Sequence, residues 1–433
     1  MRNRFLLAAA VLALPSLAGA QTINFGTYVS VGDSLAAGFV SGSLVQTHQA
    51  TSVPALLARQ AAVADFQQPL VSTPGIPSEL QLVSLVPTPT LVRITGQGRP
   101  LNLALPRPYN NLAVPGATLI DSLQRVSDGG GLHDLILRGQ GTQIQQAVAL
   151  RPTFVTLWIG NNDVLGAAVG GRAIDGVTLT PTPAFRAAYA AAVATLKATG
   201  ATVIAANLPD VTSIAFVNTV PPVVVNPATQ SPVVVNGQTV PLFGPGGPLP
   251  SSSKVTLGAS ALLAQGIGIP AAIGGRAAIV NGVCQNCLPD EVVLDASELS
   301  IITAHVDANN AAIREICAAA NVPVVDINGF LRSTSAGISV GGINLSTSFL
   351  TGGLVSYDGV HPTDIGYALV ANEWIRVINE NGGHLEPVDL QPFLKVAAGG
   401  PAVAAAGARE PGAVLSLEAY ASLREIFGPV NQR

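Results

Sequence analysis

Asn24-Phe-Gly-Thr-Tyr28-Val-Ser-Val31-Gly32-Asp33-Ser34-Leu35 carries an apolar, strand-like run straight into a glycine, an acid and a serine. Open α/β sheets gather functional side chains just beyond the carboxyl ends of such strands. Far along the chain, Tyr357-Asp358-Gly359-Val360-His361-Pro362 places an acid and a histidine three residues apart. A nucleophilic hydroxyl needs a base within hydrogen-bond reach, and the base needs a third group to orient it. Ser34, Asp358 and His361, in that order, therefore predict serine-nucleophile hydrolysis.

Working outward, the apolar character of the first run recurs over residues 153–159, 202–207 and 322–327. Near-continuous apolar runs of this length suit strands buried on both faces. Helical periods lie between them. Phe185, Tyr189, Val193 and Leu196 share one face, and Gly200 supplies a stop. Asp295 with Glu298 resembles a capping box ahead of a helix burying Leu299, Ile302, Val306, Ile313 and Ile316. Thr363 can cap a last helix that carries Ile365, Leu369, Trp374 and Ile375. Alternating strands and helices imply a parallel sheet covered on both sides.

Composition narrows the partners. Arg2 and Arg4 precede an apolar run, a Pro15 break and the small-residue site Ala18-Gly19-Ala20, which together read as a secretory signal peptide cut near Ala20. That run is too short to span a bilayer, and Gln21 is not a lipid-accepting cysteine. The expectation is a secreted or periplasmic product with no transmembrane helix. Without the two leader arginines, basic residues fall from 21 to about 19 against 25 acidic ones. Nucleic acid is an unsuitable partner for that balance. Charged residues make up 11% of the chain, well under the roughly 25% of an average domain, so the surface should be unusually neutral.

The mature chain is longer than one core usually organises, which predicts a core domain over residues 21–384 with inserts at about 43–108 and 211–290. Residues 211–275 hold a single charge, Lys254. Their repeat, Pro222-Val-Val-Val-Asn226 and Pro232-Val-Val-Val-Asn236, followed by Gly237, predicts a small β hairpin. The insert is read either as packing on the core or as an apolar cap favouring lipid substrates. From about Leu385 the tail alternates Ala, Gly and Pro; it is read as linker-like and without function, with a short helix over residues 415–426. Cys284, Cys287 and Cys317 fit one disulfide and one free thiol. The Cys284-x-x-Cys287 spacing favours a small structural bridge over redox or zinc chemistry, because a second ligand pair is missing, although spacing leaves the pairing open.

Acyl transfer also needs donors for the oxyanion of the tetrahedral intermediate. Asn111-Leu-Ala-Val-Pro-Gly116-Ala-Thr118 ends an apolar run with a glycine that admits close backbone approach. Gly160-Asn161-Asn162-Asp163 follows the 153–159 strand and can project an amide from the sheet edge. Each alone would be read as an ordinary turn. As an ordered series, Gly32 to Leu35, Asn111 to Thr118, Gly160 to Asp163 and Asp358 to Pro362 resemble the signature blocks of the SGNH hydrolases, the GDSL family of esterases and lipases.

This resemblance implies a three-layer α/β/α sandwich with a flavodoxin-like parallel sheet. It implies Ser34 as nucleophile, His361 as base and then acid, and Asp358 as the carboxylate orienting it. The Ser34 N–H, the Gly116 N–H and the Asn162 side chain would form the oxyanion hole, without metal or cofactor. The implied substrate is a carboxylic ester, with lipid or medium-chain acyl esters suggested by the uncharged insert. A polysaccharide O-deacetylase of the same fold and a non-catalytic extracellular binding protein are the rivals. The 5% aromatic content offers no rich sugar platform, and a relic would have lost a site residue. Residues 36–38 are blander than in many family members, and the Gly-x-Ser-x-Gly elbow of the α/β-hydrolases is missing.

Other residues attract weaker readings. His48, His133, His305 and His384 show no metal spacing and are expected to be ordinary surface or packed side chains, His305 solvated. Trp158 is expected in the core, Asp163 as a support for the Asn162 turn, and Asp210 as a candidate pocket residue at a strand end.

Overall fold

A computed structural model describes residues 22–85, 88–227, 229–394 and 412–428 of the 433-residue chain. Its central sheet is parallel, with strands β1 (Tyr28–Gly32), β2 (Phe154–Trp158), β3 (Thr202–Ala206) and β4 (Val324–Val325) in that spatial order. The register sets Tyr28 beside Phe154, Phe154 beside Thr202, and Val324 beside Ala205. Outside β1, the 110–114 segment runs parallel to it: Ser30 N–H donates to the Asn110 carbonyl, and the N–H groups of Leu112 and Val114 donate to Ser30 and Gly32. Counting that short edge, the strand order is the flavodoxin-like 2-1-3-4-5.

Alternation along β1 and β2 explains the two covered faces. Val29, Val31, Val155 and Leu157 share one cluster with Phe185, Tyr189, Val193, Ile302, Val306 and Ile313. Tyr28, Phe154 and Trp158 point the opposite way, into a second cluster with Leu56, Leu57, Tyr367, Trp374 and Ile378. The helices flanking the sheet include α1 (Ser34–Ala37), α2 (Asn162–Gly170), α3 (Thr182–Lys197), α4 (Ala296–Ala319) and α5 (Asp364–Glu380), while Leu56 and Leu57 come from the Val53–Gln60 helix. The Asp295–Glu298 capping box forms at α4, and Thr363 caps α5 through Gly366 N–H. Trp158 lies in the core as its position on a twice-covered strand requires.

The inserts are small β units. Asn236-Gly237 turns a hairpin that pairs Val234–Val235 with Gln238–Thr239, and Val225 bridges Pro232 across the sequence repeat. Cys284 and Cys287 form the disulfide, while Cys317 is a buried free thiol on α4. The first insert contributes Leu80–Ser84 and Thr90–Arg93 to a separate three-stranded sheet.

The third strand of that sheet is Val414–Leu415, from the tail. It leads into α6 (Leu417–Phe427), whose Ala419, Tyr420, Leu423 and Phe427 are buried with Leu415. The linker-like reading from Leu385 onward fails for this part. The short helix expected over residues 415–426 is present as Leu417–Phe427, and what differs is that its apolar stripe, recurring every three to four residues, packs into the core. The leader expected over residues 1–20 lies outside the described residues. No helix among those described is long and apolar enough to cross a membrane.

Candidate active site

All four sequence blocks reach the same carboxyl edge of the sheet. β1 ends at Gly32, where a side chain would sit 2.7 Å from the Trp158 carbonyl and 2.6 Å from the Ala36 methyl, so only glycine lets the strands close. Asp33 then caps α1, its Oδ1 accepting from Leu35 N–H at 3.2 Å. Ser34 opens that helix and is 2% exposed. The 110–114 edge delivers Gly116, with φ of +83°, and Asn111 ties it to α1 by donating to the Ala36 carbonyl at 3.0 Å.

Asp358 and His361 share one tight loop, as their spacing predicts. His361 Nδ1 lies 2.9 Å from Asp358 Oδ2. The other carboxylate oxygen accepts from Ser356 Oγ at 3.2 Å and from the N–H groups of Val360 and His361, both at 2.8 Å. Burial alone would raise this carboxyl, but the facing His361 and these hydrogen bonds outweigh it and hold Asp358 below the usual carboxylate range. An ionised carboxylate only accepts, so the proton rests on His361 Nδ1. Nε2 is then left with a lone pair, and no hydrogen-bond partner meets it among the described residues.

The segment that follows Ser34 is stitched to this loop. Gly42 N–H donates to Asp358 Oδ2 at 2.8 Å, Ser41 N–H to Ser356 Oγ at 3.0 Å, and Tyr357 N–H to Ser41 Oγ at 3.3 Å. The Phe39 ring meets the His361 ring with centroids 5.0 Å apart. Tyr367 of α5 donates to the Phe39 carbonyl at 2.8 Å. Arg93 bonds the Gly42 carbonyl at 3.1 Å, bracing the peptide that reaches Asp358. None of these partners was legible beforehand, because contacts between residues some 316 positions apart leave no local period.

The asparagine pair divides its work. Asn161, overlooked in the sequence, donates to Asp33 Oδ2 through its side chain at 2.8 Å and its N–H at 3.3 Å. Asn162 donates to the Ala117 carbonyl at 2.9 Å, next to Gly116. Asp163 does not hold the Asn162 turn as expected; it accepts from Leu119 N–H at 2.8 Å and so fixes the chain just after the glycine block. Burial pushes the Asp33 carboxyl up to about 6 and that of Asp163 up to about 7, because their hydrogen bonds only partly offset desolvation.

The remaining candidates lie apart from this centre. His48 bridges Asp364 at 2.7 Å and Glu79 at 3.0 Å, joining the first insert to the start of α5. His133 pairs with Asp128 at 3.1 Å and lines a groove of about 710 Å³ that also includes Pro115, Gly116, Glu425 and Ile426. His305 is half-buried rather than solvated, since its position on α4 turns it toward Asp175 at 4.0 Å; His384 is exposed. Asp210 lines an apolar cavity of about 180 Å³ with Val360 and Pro362, on the outer side of the histidine loop. Among the described residues no group of three His, Cys, Asp or Glu side chains could hold a metal ion.

A parallel α/β/α sheet that gathers these segments at one edge has the fold of the SGNH hydrolases. The model of the GDSL-like lipase/acylhydrolase family matches residues 28–374, and the chain belongs to that family. Among solved structures it is similar to phospholipase A1 from Streptomyces albidoflavus, at 14% identity over 83% of this chain and 100% of that one, with a TM-score of 0.33. The lipase/acylhydrolase from Enterococcus faecalis is also similar, at 14% identity over 64% and 77% and a TM-score of 0.29. So is an acetyl xylan esterase, at 14% identity over 62% and 79% and a TM-score of 0.29. No curated protein matches the chain.

Proposed function

We propose that the protein is an exported carboxylic ester hydrolase that works through an acyl-serine intermediate. The observation that carries this reading is the buried Asp358–His361 pair at 2.9 Å, with Nε2 unpartnered and the Ser34 segment bonded to the same loop. His361 Nε2 takes the Ser34 proton as Oγ attacks the ester carbonyl carbon. The ester C–O bond then breaks, and the alcohol leaves with that proton. Water next attacks the acyl carbon with His361 again as base, which releases the acid and restores Ser34. The Ser34 and Gly116 N–H groups and the second amide hydrogen of Asn162 would hold the oxyanion.

Lipid or medium-chain acyl esters are the narrower proposal, supported by the charge-poor second insert. Its hairpins expose Val234, Val235, Ile279, Val280 and Val283, the last at 62%. Cleavage near Ala20 would yield the exported form, testable by N-terminal sequencing of the extracellular product, which should begin at Gln21.

The central test is Ser34→Ala. It should lower turnover of p-nitrophenyl butyrate by roughly 10⁴-fold or more and abolish labelling by a fluorophosphonate. A folded variant that keeps its activity would overturn the assignment.

A further inference from the structure

The C-terminal helix ends on the candidate site. The Phe427 ring packs against the His361 ring, with centroids 5.2 Å apart, and against Phe39 at 5.6 Å. It is fully buried, and His361 itself is only 1% exposed. One residue earlier, the Ile426 carbonyl crosses Gly116 so closely that a methyl there would lie 2.6 Å from it. Ile426 also lines the 710 Å³ groove beside Gly116. An ester carbonyl reaching Ser34 needs space beside both Gly116 and His361. The last turn of α6 occupies space beside both.

The root of the same helix is held quite differently. Val414 and Ser416 N–H groups bond the Pro89 and Leu91 carbonyls, and Leu415 N–H donates to Ser260 Oγ at 2.9 Å. The Tyr420 hydroxyl donates to the carbonyls of Glu291 at 3.0 Å and Val169 at 3.3 Å. Ile426 and Phe427 meet the site through steric and ring contacts. Such a contact can peel away while the anchor stays.

Building on the ester-hydrolase reading, we propose that the turn around Ile426 and Phe427 is a self-inhibiting plug, held in the acyl and oxyanion region and displaced when substrate enters. Phe427 packs on both Phe39 and the base, where an apolar acyl group would lie. Burial of one large aromatic ring biases such an equilibrium by roughly 10- to 100-fold, so removal should raise reactivity by about that factor.

The test compares the full chain with one ending at Glu425, and with Phe427→Ala. The readouts are the second-order rate of Ser34 labelling by an octyl fluorophosphonate, kcat/KM for p-nitrophenyl acetate and octanoate, and the melting temperature. Labelling should accelerate at least tenfold, and the octanoate should gain more than the acetate. Rates within twofold of the full chain in a folded variant overturn the plug. If neither variant folds, the wild type decides by hydrogen exchange. Octyl-phosphonylation of Ser34 should strip protection from the amides of residues 425–428 and leave residues 419–421 protected; unchanged protection overturns the proposal. Absence of labelling in every form overturns the hydrolase reading itself, whereas equal labelling overturns only the plug.

Discussion

The site edge and the second insert are both poor in exposed charge, yet they handle polar groups in opposite ways. Around Ser34 the fold buries three carboxylates, Asp33, Asp163 and Asp358, each fully inaccessible and each met by at least one N–H donor. Residues 211–275 avoid the problem, with Lys254 as their only charge. They are held by two-residue strands and isolated bridges, and they leave valines exposed at a hairpin tip. Burying a charge is costly unless partners meet it at fixed positions. The fold accepts that cost where one side chain must orient another, and avoids it where the chain only covers surface.

The largest effect is expected at Asp358. In Asp358→Asn, an amide NH2 would face Gly42, Val360, His361 or Nδ1, all of them donors, and the histidine would turn to the other tautomer. Turnover should fall about 10⁴-fold with the fold retained. Ester kinetics alongside circular dichroism check this, and a loss under tenfold would show that the carboxylate is only structural.

A smaller effect is expected at His48, which ties the first insert to α5. Burial alone would lower its pKa, but hydrogen bonds to Asp364 and Glu79 outweigh this and raise it to about 10 from an ordinary 6.5. The folded state therefore holds the proton more tightly than the unfolded chain does. The stabilisation is complete below pH 6.5 and disappears as pH rises through about 10. Urea titrations should show wild type exceeding His48→Gln by on the order of 1 kcal/mol at pH 6, with the gap closing by pH 10.5 or so. A gap independent of pH would sink the ion-pair account.

The smallest change should come from the hairpin tip. Val234→Thr and Val235→Thr keep β-branching at exposed positions and should shift stability by no more than about 0.5 kcal/mol. Melting curves would reveal a larger loss, and with it a tip that is covered rather than free.

Several features were readable from the sequence because their signals are local. β1 to β4 showed as apolar runs, α3 to α5 as helical periods with caps, and the Asp358–His361 pair as a three-residue spacing. Asn236-Gly237 marked its own turn. Asn161 was passed over although it sits beside Asn162, since only Asp33, brought in by a parallel strand pairing, gives it a partner. Gly42, Ser41, Ser356 and Arg93 were hidden for the same reason.

The stripe of Ala419, Leu423 and Phe427 shows that a local period can announce a helix without saying what it covers. By itself the chain determined the sheet, the order of the blocks and the kinds of side chain available for acyl transfer, because periodicity and short spacing are carried by neighbouring residues. Only the tertiary structure decided which donors hold Asp358 and that the Phe427 ring packs against His361. Those contacts close loops of tens to hundreds of residues, and their free energy comes from packing that no single segment encodes.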